Sequence, residues 1–67
     1  MSDASINTIR DMLIGQASAL AEEALESLSR AVHADEPEQV ALKKLERRIT
    51  RARRSIEKAI DLLGHND

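Results

Sequence analysis

The stretch LKKLERRITRARRSIEKAIDLL, residues 42–63, decides the fold, because apolar and alanine positions recur in it every seven residues. Leu42, Ile49, Ile56 and Leu63 form one set, and Leu45, Ala52 and Ala59 follow three residues later in each heptad. Alternating steps of three and four put these side chains on one narrow face of an α-helix, the seam by which helices pack in coiled coils and bundles. A helix with such a seam lies against another helix.

Working backwards from this stretch, Asp35 and Glu38 have the spacing of a capping box, and Pro37 falls in the first turn of the helix they open. The acidic side chains of Asp35, Glu36 and Glu38 cluster where the positive end of the helix dipole favours them. Before this turn, Ile6 to about His33 is rich in Ala, Leu and Glu, and Gly15 is its only weak helix former. The start of that first helix is open among Ser2, Asp3 and Ser5 as caps. So short a turn makes the two helices antiparallel neighbours. The expected fold is all-α, a single coiled-coil-like hairpin with helix one at about 5–33, a turn at 34–37, helix two at about 36–63 and a polar tail at 64–67. Gly64 is expected to be the C′ residue of helix two.

At 67 residues the chain is one small domain, and a two-helix hairpin of this size cannot bury all its aliphatic side chains by itself. The expectation is completion to a bundle by a second copy or by a partner protein. In helix one, Ile6, Leu13, Ala17, Leu20, Ala24, Leu28 and Ala31 fall on one face. Ala17, Ala24 and Ala31, facing Ala52 and Ala59, would form an inner seam at which the backbones come close. A second stripe, Ile14, Ala21, Leu25 and Val32, is then left over as the candidate partner-binding surface.

Net charge is −2, yet eight of the ten basic residues lie between Lys43 and Lys58. Lys43, Arg47, Arg51, Arg54 and Lys58 form a stripe almost opposite the Leu42 to Leu63 seam, a candidate footprint for phosphates or an acidic partner surface. Asp11, Glu22 and Glu26 lie opposite the apolar face of helix one, so the hairpin is expected to present one acidic and one basic outer helix.

Aromatic residues and cysteines are both absent, which argues against base-stacking platforms, a cofactor pocket, disulfides and thiolate metal sites. His33 and His65 have no ligand-spaced companion, and Ser27, Ser29 and Ser55 lie in no elbow-like glycine turn. These patterns point to a protein that is not an enzyme, binds no cofactor or metal, has no small-molecule substrate and stays off the membrane. With no signal-like apolar run, the expected location is the cytoplasm.

Two segments carry a family resemblance. Pro37-Glu38-Gln39, opening the second helix with Leu42 after it, and Ser55-Ile56-Glu57-Lys58-Ala59-Ile60-Asp61-Leu62-Leu63 resemble the helical-hairpin co-chaperones of bacterial type III secretion needle proteins. The resemblance covers mainly the second helix. It implies a cytoplasmic protein that, with a second chaperone, keeps an aggregation-prone helical subunit soluble until export, with Ile56, Ile60 and Leu63 as packing residues. Besides a structural coiled-coil segment with no independent recognition function, the residues themselves leave two function classes open. One is a chaperone, adaptor or inhibitor that packs an apolar helix face against partner helices. The other is a homodimeric four-helix bundle that binds RNA or DNA through its basic stripe, an architecture similar to that of small plasmid-copy-number regulators.

Overall fold

The computed structural model describes residues 3–64 and consists of two helices, α1 (Asp3–His33) and α2 (Glu36–Gly64), packed side by side as a hairpin. Ala34 and Asp35 alone separate them. Asp35 caps α2: its Oδ1 accepts from the Glu38 N–H at 3.3 Å, and its carbonyl accepts the first helical bond from the Gln39 N–H at 2.8 Å. The Ala31 carbonyl, left without a partner within α1, accepts from the Ala34 N–H at 3.3 Å and from Gln39 Nε2 at 3.1 Å. One glutamine side chain thus ties the end of α1 to the start of α2.

At the open end of the hairpin, helix is already formed at Asp3, so Asp3 and Ser5 lie inside α1, while Ser2 and the segment 65–67, His65 included, fall outside the described residues. Gly64 corrects the sequence reading: it belongs to α2, and no glycine has positive φ. Its missing side chain has another use. A Cβ built there would stand 3.2 Å from Arg10 Nε, so glycine lets the Arg10 guanidinium lie over the last turn of α2, where the helix dipole favours a cation.

The inner seam is rotated relative to the expectation. Ala17, Ala24 and Ala31 are buried on α1 as expected, but their neighbour in the seam is Ser27, only 4% exposed, while Leu28 is turned outward. On α2, Leu42, Ile49, Ile56 and Leu63 face inward, and the second column of the seam is Gln39, Glu46, Arg53 and Ile60. Ala52 is exposed and Ala59 only half-buried. The reason is volume. An alanine column on α1 facing alanines on α2 would leave gaps, whereas the long side chains of Glu46 and Arg53, both half-buried, fill the space. Thr50 Oγ1 donates to Glu46 Oε1 at 2.7 Å, steadying that carboxylate at the seam's edge.

Burial is shallow. Leu42 is the single large aliphatic side chain among the described residues that is buried, and no large side chain is fully enclosed. The accessible surface is 5301 Å², against about 4,200 Å² for a compact monomer of this mass. The molecule is a rod of 51 × 16 × 13 Å with a radius of gyration of 15.5 Å, against about 11 Å for a compact domain of this length.

Two stability changes are expected, both measured by thermal unfolding followed by circular dichroism. A Cβ at Gly15 meets nothing within 4 Å, so Gly15→Ala should stabilise by about 0.5–1 kcal/mol and raise Tm by several degrees. Arg53 Nε is buried without a hydrogen-bond partner, and the Arg53–Glu57 ion pair, at 3.7 Å, is too long to supply one. Arg53→Leu should therefore raise stability by about 1–2 kcal/mol.

Candidate functional site

The surface left uncovered by the hairpin divides into two apolar flanks and a basic ridge. On the first flank, Ile14, Ser18 and Ala21 of α1 border a shallow groove whose other wall is Arg53, Glu57, Ile60 and Asp61 of α2. Ile14 and Ala21 occupy the same heptad position, and Leu28, which the sequence reading placed in the seam, continues their line. Leu25 and Val32 stand one helical position further out, 69% and 73% exposed. The four residues singled out from the sequence thus share one side of α1 without forming a single column: Ile14 and Ala21 line the groove, and Leu25 and Val32 lie beyond it along the helix, toward the turn.

The second flank was misassigned from the sequence. Leu45, Ala52 and Ala59 lie on the opposite side of the Leu42–Ile49–Ile56–Leu63 column from Thr50 and Glu57, and so on the other side of the hairpin. Leu45, Ile49, Ala52 and Ser55, with Arg48 and Arg51, line a depression there. On the same side α1 displays Ile9 and Met12, and α2 displays Leu62. The signal that could have revealed this flank is the run Gln39, Glu46, Arg53, because polar residues with long apolar stems are as able as alanine to sit beside a column of alanines.

Lys43, Arg47, Arg51, Arg54 and Lys58 are all exposed, and Arg47, Arg51 and Arg54 surround a shallow depression floored by Thr50 and Glu46. Among the described residues the one ion pair is Arg53–Glu57, so the ridge cations form none there, with Glu46 the one carboxylate in the lining of their depression. The charge is segregated by helix. With His neutral, two basic and five acidic residues leave α1 at −3, and eight basic and five acidic residues leave α2 at +3. Asp11, Glu22 and Glu26 are exposed on α1. His33 is exposed in the last turn of α1, where a cation is favoured by the dipole.

Among the described residues, no three His, Cys, Asp or Glu side chains converge as metal ligands, and no helix is long and apolar enough to cross a membrane. Ser55 Oγ donates to the Arg51 carbonyl at 3.3 Å, a local helix bond with no catalytic partner in it. Compared with protein-family models, curated proteins and solved structures, the chain matches none.

Proposed function

We propose that this protein is a small non-enzymatic interaction module, a chaperone, adaptor or inhibitor that packs the Ile14, Ala21, Leu25, Val32 flank against helices of a partner protein. The observation that carries this reading is the pair Leu25 and Val32, large aliphatic side chains more than two-thirds exposed on one side of a hairpin whose surface is about a quarter larger than that of a compact monomer. Helix-in-groove recognition uses such anchors at helical spacing, and a partner's helices would complete the bundle that two helices cannot close. The resemblance of Pro37-Glu38-Gln39 and of Ser55 to Leu63 to type III secretion needle co-chaperones makes an export-bound helical subunit in the cytoplasm the first partner to try.

A charge placed at Leu25 would be buried without a partner in such a complex. Leu25→Asp should weaken partner binding by roughly 100-fold while leaving helicity unchanged, because the side chain makes little of the hairpin's own core. Co-purification of the partner with wild-type and variant protein measures this, and equal recovery removes the reading.

A second reading is favoured by the ridge at Arg47, Arg51 and Arg54, which forms no ion pair among the described residues: a homodimeric bundle that binds RNA or DNA through phosphate contacts. Three neutralised phosphates on duplex DNA give a salt slope of about −2.7 in log K against log salt. Reversal of all three arginines to glutamate should abolish this binding, as followed by fluorescence anisotropy. If the unmodified protein shows no binding at low salt, the ridge is a solvated helix face.

A further inference from the structure

The second flank carries a pattern that neither reading above uses. Arg10 reaches Gly64, and Ile14, Ala17 and Ala21 share one groove with Ile60, Glu57 and Arg53, so residues whose numbers add to about 74 stand near one level over the part of the rod away from the turn. By that rule Met12 is level with Leu62, Ala19 with Ser55, and Glu26 with Arg48. All six are exposed, and all six occupy the outer edge of the second flank, turned away from the other helix of their own chain. At these three levels they match in kind but cannot meet within one hairpin; at the fourth, beside the turn, His33 is level with Ala41 and adds no complementarity.

We propose that a second copy of this chain covers the flank, the two hairpins being related by a twofold axis that runs along the rod, so that each α1 lies against the partner's α2. A rotation about that axis preserves level. Met12 then meets the partner's Leu62, two large apolar side chains each 66% exposed in the single hairpin. Ala19 meets the partner's Ser55, small against small, and Glu26 meets the partner's Arg48, acid against base. Every neighbouring pair of helices is antiparallel, as within the hairpin, and at both new contacts a helix of charge −3 lies beside one of +3. The half-buried Leu13, Leu20, Ile49 and Ile56 become a central core, closed by Leu45, Ala52 and Ala59. A twofold axis across the middle of the rod would instead set each helix against its own copy, Met12 against the partner's Glu26 and Leu62 against the partner's Arg48, which removes the complementarity and places like-charged helices side by side. The arrangement leaves the Leu25–Val32 flank facing outward, so it does not rest on the partner-binding reading; it supplies the dimer that the nucleic-acid reading assumes, with Arg51 at the border between the ridge and the covered flank.

Because the chain has no cysteine, the test is clean. The unmodified protein should sediment as a dimer, and the double variant Met12→Cys/Leu62→Cys, oxidised while helicity is intact, should form a covalent dimer on a non-reducing gel. Glu26→Arg should weaken self-association by about tenfold, and Glu26→Arg combined with Arg48→Glu should restore it. A monomer at every concentration overturns the proposal, as does a dimer in which positions 12 and 62 fail to cross-link or in which the reversed pair does not recover. Rescue by the reversed pair is read against wild type, so loss of folding in the single variant does not obscure the outcome.

Discussion

The alanine column of α1 is the constraint from which the rest of the hairpin follows. Ala17, Ala24 and Ala31, with Ser27 beside them, leave a shallow trough along the helix, and a trough is filled by long side chains rather than by more alanines. This selects the face of α2 that turns inward, with Gln39, Glu46, Arg53 and Ile60 alongside Leu42, Ile49, Ile56 and Leu63. Three of those four second-column residues are polar, so the seam is held by aliphatic stems with polar ends that reach its margins. Polar groups at such positions cost stability and disfavour other registers, since sliding the helices would bury them without partners.

The same rotation explains why so much apolar surface is left outside. Leu45, Ala52 and Ala59, excluded from the seam, line one flank of the rod; Ile14, Ala21, Leu25 and Val32 line part of the other. A hairpin only 13 Å deep has no second layer to cover either. The two flanks also differ in company. The first has Arg53, Glu57 and Asp61 of α2 along its groove, whereas the second carries acidic residues on α1 and Arg48 and Arg51 on α2, so the two surfaces differ in charge as well as in shape.

The two helices, their antiparallel arrangement and the capped turn at Asp35 were all legible in the sequence, because heptad spacing and capping chemistry act locally. The exposure of Leu25, Val32 and the five basic side chains was legible too, since each lies well away from any position the seam could occupy. What escaped was the rotation of α2 about its axis. Heptad spacing alone does not distinguish a step of three from a step of four beside the Leu42 column; the depth of the facing helix decides that, and depth belongs to the pair. Gly64 failed for a related reason: its role is set by Arg10, more than fifty residues away, and not by its own neighbours. Ser27 and Leu28 stand on opposite sides of the Ala17–Ala24–Ala31 column, about 100° apart, so a seam turned toward Ser27 leaves Leu28 outside.

The latch formed by Gln39 on the Ala31 carbonyl gives the hairpin a starting point for assembly. Beside it the chain closes over only eight residues, and each further layer brings together positions that the previous layer has already drawn near, so closure entropy accumulates in small steps. Such a zipper forms quickly from the turn and opens from the other end, where Arg10 and Gly64 meet. Opening a layer or two there would free the outer ends of both helices while the turn stays shut, which gives the rod one firm pole and one yielding pole.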